Sequence, residues 1–264
     1  MGRIGTVLLG MSILILTSGC GRNLKVKKDC PCGFYTSDSG KILAWPDGDS
    51  VNFVFEKSFP KELRFAVASA AENYNHLLDK THLALSPTDE SAPAMKDINP
   101  DSVSSDGING VYWVPEPWPW KDKDPNSDAM TVVVFKRGRI VEADLFFRER
   151  SFQGPIQIPN EASFSSIMNS KPTSLLTDAG SITTSTVADP AEITQGASSN
   201  VKWIYTIGVH EFGHALGRVH TDREDSIMHP TVSLESIKRP FTDWDVETFN
   251  HVYHVTDTTN ATTN

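Results

Sequence analysis

Cysteine is scarce, with three in 264 residues, and this excludes a small fold stapled by a dense disulfide set. Cys30 and Cys32 stand in "DCPCG", separated by one proline, a spacing that rarely permits a relaxed bridge. Free thiols, a strained mutual pair and metal ligands all stay open for them. Basic clusters are equally sparse. No Lys/Arg run exceeds "KVKK", and with a net charge of -9 nucleic acid is not expected as a partner. Beyond the first twenty residues there is no long apolar run, so a polytopic membrane protein is excluded. Hydrophobic residues at 39% and charged residues at 22% exclude wholesale disorder, and the length suits one sizeable domain.

What is present begins at the N-terminus. "MGRIGTVLLGMSILILTSGC" carries one arginine, then about a dozen mostly apolar residues and small residues before Cys20, the pattern of a signal peptide over residues 1–19. The end, "LTSGC", is similar to a bacterial lipoprotein box, in which the cysteine is acylated and becomes the first residue, although Thr17 stands where such boxes carry leucine. The expectation is an exported chain held to a bacterial membrane through lipid on Cys20. Plain secretion with cleavage near Gly19 is the alternative. Residues 20–44 read as a polar tether, 45–254 as the folded domain and 255–264 as a flexible tail.

Periodicity supplies the elements. "SVNFVFE" (50–56) alternates as a half-buried strand does, and Leu63, Val67, Ala70, Tyr74, Leu77 and Leu78 follow Pro60 at helical spacing. "GVYWV" (110–114) predicts a short strand. The adjoining "PEPWPWKDKDP" cannot be helical, and we expect a proline-stiffened loop packing on the core rather than a groove. "AMTVVVFKRGRIVEADLFF" predicts a hairpin turning at "KRGR", with strands near Met130 to Phe135 and Ile140 to Phe147. The Ser/Thr-rich stretch from Ser151 to about Asn200 is too long for an ordinary connection.

Histidine is rare too, with eight in the chain, yet three fall in "VHEFGHALGRVH". Trp203, Ile204, Ile207, Val209 and Phe212 support a helix ending near Gly217. On it His210 and His214 lie one turn apart, about 6 Å in rise and nearly in line, so both rings can reach one ion. Were the helix to continue, His220 would sit roughly 15 Å along the axis from His210, far beyond a zinc–nitrogen bond of about 2 Å. Gly217 is placed to reverse the chain, because glycine accepts the left-handed conformation that ends helices. Three neutral imidazoles then leave a fourth tetrahedral position open, the mark of a catalytic zinc. Glu211 lies on the adjoining arc as candidate general base. By chance the pattern arises on the order of once in 10⁴ to 10⁵ such chains, so helix histidines of ordinary kind are a poor explanation. The other five fare differently. His76 and His82 follow helical packing, and His229, His251 and His254 read as surface or packing residues.

The pattern H-E-x-x-H-x-x-G-x-x-H resembles that of the metzincin metallopeptidases, whose later "Met-turn" passes beneath the zinc. "DSIMHP" (225–230) supplies that element, with Met228 in the methionine place and Pro230 two beyond, and its short distance from His220 is similar to the matrixin branch and its bacterial relatives. The resemblance implies an α+β fold: a twisted mixed sheet with an antiparallel edge strand, a long backing helix, the active-site helix, the Met-turn and a closing helix from about Thr242 to Tyr253. It implies one catalytic zinc on His210, His214 and His220, Glu211 as proton carrier, Met228 as packing support, and a monomer acting on protein or peptide substrates. An extended peptide is expected to add to the edge strand Met130 to Phe135, with a side-chain pocket near Val209 and Pro230 to Val232. Structural calcium accompanies many matrixins, but no ligand set for it is readable here. The "CG" at Cys32 resembles the cysteine of matrixin zymogens in two residues only, too few to carry that role over. A different class, a zinc-containing surface lipoprotein that binds peptides without cleaving them, would leave Glu211 without a purpose.

Overall fold

The computed structural model describes residues 33–37, 39–78, 80–95, 106–120, 125–152, 199–232 and 241–253. The leader, Cys20, Cys30, Cys32, most of the 151–200 stretch, His254 and the tail lie outside the described residues.

Five strands form one mixed sheet: Ser50–Phe55 (β1), His82–Leu85 (β2), Asn109–Val114 (β3), Ala129–Lys136 (β4) and Arg139–Arg148 (β5). Their spatial order is β2-β1-β3-β5-β4. β1 runs parallel to β2 and β3, and β3 parallel to β5, whereas β4 pairs antiparallel with β5 and so becomes an edge strand. That is the mixed sheet with an antiparallel edge expected from the sequence. Both faces of its middle are covered, which is why "GVYWV" and "DLFF" read as continuous apolar runs rather than alternations. Val111, Ala129, Val133, Phe135, Ala143, Leu145 and Phe147 belong to the main core. On the opposite phase, Tyr112, Val114, Val132 and Phe146 pack with Trp118 and Trp120 of the proline-rich loop. Trp118 and Trp120 are thus core residues.

Helix α1 (Lys61–Leu77) starts after Pro60, whose fixed φ suits a helix entrance, and buries the face carrying Leu63, Val67, Ala70 and Tyr74. Against it lies α2 (Ser199–Ala215), which carries the first two motif histidines. Two bonds lock the pair: Asn73 Nδ2 donates to Tyr205 Oη at 2.9 Å, and Tyr74 Oη donates to the Val209 carbonyl at 2.7 Å. Helix α3 (Asp243–Tyr253) closes the described fold. Its N-terminus is a capping box, in which the Thr242 hydroxyl accepts from the Asp245 N–H at 3.2 Å and Asp245 Oδ2 accepts from the Thr242 N–H at 3.0 Å.

Two sequence expectations are corrected. His82 does not continue a helical pattern; it opens β2 and is exposed, because Leu78 has already left the helix for extended backbone. Residues 33–37 and 39–44, read as the end of the tether, are part of the domain. Phe34 and Leu43 are fully buried, and the Tyr35 N–H donates to the Gly217 carbonyl at 2.9 Å. The segment is polar in composition and is held by a few apolar anchors that meet residues far away in sequence.

Candidate metal centre

The site begins with how α2 ends. Gly217 has φ of 92°, a left-handed conformation, and its N–H donates to the His214 carbonyl while that of Arg218 donates to the Gly213 carbonyl. This is a Schellman motif, with Gly217 as the residue that turns the chain. Bulk is excluded as well as allowed angles, since a Cβ there would lie 2.5 Å from the Leu43 carbonyl oxygen. The last helical carbonyls, orphaned by the reversal, receive donors from elsewhere in the fold. Trp45 Nε1 donates to Ala215 at 2.9 Å, Tyr253 Oη to Leu216 at 2.7 Å, and the Tyr35 N–H to Gly217.

Reversal brings His220 back to the helix. The Nε2 atoms of His210, His214 and His220 form a triangle with all three sides 3.1 Å. His210 and His214 are buried and His220 is half-buried. His210 Nδ1 faces the Ile227 carbonyl at 2.6 Å, and His214 Nδ1 faces the Arg218 carbonyl at 2.8 Å. A carbonyl only accepts, so each Nδ1 carries the proton and each of these Nε2 atoms turns a lone pair to the centre. Lone pairs at this separation repel unless a cation lies among them. Ligands at about 2.1 Å around a tetrahedral zinc lie roughly 3.4 Å apart, so the donor set and its spacing fit that ion. Burial, reinforced by the neighbouring His220 ring, pulls the His210 imidazole down to about 3. Burial also holds His214 well below the ordinary histidine range, with His220 and His210 adding to it. Both rings are therefore neutral at pH 7, the form that binds metal.

The floor is Met228, which is fully buried. Its thioether sits against the backbone of Gly213, where a Cβ would otherwise project. Sulfur is used for packing here. The Met-turn is tied back to the ligand loop, because the Thr221 N–H donates to the Met228 carbonyl at 3.0 Å. A buried polar hub secures it from below. Asp245 Oδ1 accepts from the Ser226 hydroxyl at 2.6 Å and pairs with Arg218 at 3.3 Å, both ends of that ion pair being fully buried. Ser226 Oγ in turn accepts from the Met228 N–H at 3.0 Å. One carboxylate thereby anchors the two segments whose carbonyls orient His210 and His214.

Glu211 is 5% exposed and meets β4: the Thr131 hydroxyl lies 2.6 Å from Glu211 Oε2 and 3.1 Å from the Glu211 carbonyl oxygen. Of the residues expected near a side-chain pocket, Val209 is in the main core, Val232 packs against its margin and Pro230 is exposed. Sequence reasoning passed over Thr131, Gly213, Arg218 and Asp245. For Thr131 a signal existed: it is the polar member of the inward phase that also contains Ala129, Val133 and Phe135.

Comparison with known proteins agrees with this arrangement. A family model described as Matrixin matches residues 123–254, half of the chain and all of the motif region. The "Metalloendoproteinase 2-MMP" of Arabidopsis thaliana is 40% identical over 58 residues, a stretch that makes up 22% of this chain and 15% of the plant protein.

Proposed function

Since the chain belongs to the matrixin family, we propose that it is a zinc-dependent endopeptidase hydrolysing extracytoplasmic proteins or peptides. The observation that carries this reading is the triangle of Nε2 atoms with sides of 3.1 Å. His210, His214 and His220 would hold the ion. A bound zinc ion lowers the pKa of water toward about 7 and polarises a carbonyl. Glu211 takes the proton from the attacking water and passes it to the leaving amine. Its burial beside the buried histidines keeps competing bulk water away from the transfer.

Edge strand β4 supports the same reading. It ends the sheet and touches Glu211 through Thr131, so an extended peptide paired along Met130 to Phe135 would pass over the base. The reading includes export and lipid attachment at Cys20, which rest on the leader sequence alone.

Glu211→Ala tests the chemistry. In chain produced with its own leader, the variant is expected to keep one zinc per chain and to lose cleavage of a peptide library by roughly 10²- to 10⁴-fold. The mass of the same preparation reports whether Cys20 is the lipidated first residue. Undiminished cleavage in the variant would refute the role of Glu211, and wild-type chain that takes up zinc but cleaves nothing would favour a binding protein.

A further inference from the structure

We propose that Thr131 is a positioning residue for the Glu211 carboxylate, registering the proton carrier against the edge strand that receives substrate; this rests on the peptidase reading above. Thr131 is 5% exposed and lies in an apolar phase of β4, so its hydroxyl needs an acceptor within the protein. Both acceptors around it belong to Glu211, the carboxylate oxygen Oε2 at 2.6 Å and the main-chain oxygen at 3.1 Å. Satisfying a buried threonine needs only the second. The shorter contact goes to the side-chain carboxyl group, the part that would carry the proton.

The two partners differ in stiffness, and that sets the direction of control. Glutamate has three rotatable side-chain bonds, whereas a β-branched threonine on a strand is restricted at its single one. Around Thr131, β4 is paired without irregularity from Ala129 to Val134 with β5, with Thr131 opposite Leu145. The hydroxyl is therefore the stiffer of the two partners, and the carboxylate the one with more freedom to shift. Because β4 is also the edge proposed to pair with the peptide, scissile bond and base share one frame. Proximity of that kind is sensitive, since a displacement of about 1 Å can cost 10²-fold in rate.

Thr131→Val keeps the shape and removes the bond, and Thr131→Ser keeps the hydroxyl. In zinc-loaded protein, Thr131→Val is expected to lower kcat by about 10- to 100-fold with KM and zinc content unchanged, and Thr131→Ser to restore most of kcat. Carboxyl-¹³C labelling of glutamate, with the Glu211 signal assigned through Glu211→Gln, reads the contact without any substrate. That signal should move in Thr131→Val and return in Thr131→Ser, in zinc-loaded and chelated protein alike. If Thr131→Val does not fold, Thr131→Ala, which places no extra methyl against the carboxylate, takes its place. An unmoved carboxyl signal, or a moved signal with kcat intact, overturns the proposal. Wild-type chain that cleaves no peptide refutes the peptidase reading instead, and the carboxyl signal still decides whether Thr131 holds Glu211.

Discussion

Gly213 shows how much of the site is decided by a missing atom. It lies between Phe212 and His214 in the last turn of α2, where alanine is intrinsically better by up to about 1 kcal/mol. Yet a Cβ there would run into Met228 Sδ and would come within 2.9 Å of Tyr74 Oη. Neither neighbour can yield easily: Met228 is fully buried, and Tyr74 is held by its bond to the Val209 carbonyl. The clash outweighs the propensity, so Gly213→Ala is expected to destabilise the fold by about 1–3 kcal/mol in denaturant unfolding and to weaken zinc retention. A variant as stable as wild type would mean that the methionine is not seated against the helix. At this scale the histidine spacing was plain in the sequence, because all three ligands fall within eleven residues. Gly213 was present in the same motif without a readable purpose, since its reason lies in Met228 and Tyr74, one of them far away in the chain. Asp245 gave a local sign of its capping role only, as the acidic end of Thr242-x-x-Asp245, and none of its hold on the Met-turn and Arg218.

Between elements, the same carboxylate serves two structures. Asp245 closes the capping box of α3 with Oδ2 and holds the Met-turn and Arg218 with Oδ1. Moving α3 therefore moves the carbonyl of Ile227, against which His210 is oriented, and that of Arg218, against which His214 is oriented. Ser226→Ala cuts the link to the Met-turn while leaving the ion pair intact. It should lower zinc affinity about 10-fold, as loss of a bond that orients metal ligands does, when measured by competition with a chromophoric chelator. Unaltered affinity with a lower melting temperature would assign Ser226 to stability alone. The long elements were legible for two reasons: α1 and α3 bury one face of a helical pattern, while α2 and the β4–β5 hairpin are apolar runs bounded by the turn residues at Gly217 and in "KRGR". β2 was not. Four residues, "HLAL", are too few to show a period, and they become a strand only through parallel pairing with β1. The segment 33–44 was misjudged for a related reason, since its burial depends on contacts with residue 218 and α3 rather than on its own composition.

For the molecule as a whole, the question is what holds three neutral imidazoles in one small volume. Among the described residues the ligand-bearing pieces are α2 and the loop after it, and the fold brings them together only in the native state. An ion that binds the native triangle and not the unfolded chain must therefore stabilise the fold by mass action, about 4 kcal/mol at a free concentration 1,000 times Kd. For a domain of this size that corresponds to a rise of roughly 8–16 °C in melting temperature. Protons act in the opposite direction. His210 is depressed by burial to about 3 in the folded chain, and His214 is depressed as well, whereas an unfolded histidine titrates near 6.5. Below about 6.5 the unfolded state thus binds more protons than the folded one, and stability falls as pH drops from there toward about 3. In the folded chain the depressed His210 and His214 rings stay neutral at pH 5, so the increment due to zinc should be largely kept there and be lost only as the pH falls toward about 3. Melting curves with zinc and with a chelator, at pH 7.5 and at pH 5, separate the two effects. A chelator that leaves the pH 7.5 curve unmoved would show that the triangle holds no ion. An increment already lost at pH 5 would show that burial does not hold His210 and His214 in the neutral, metal-binding form.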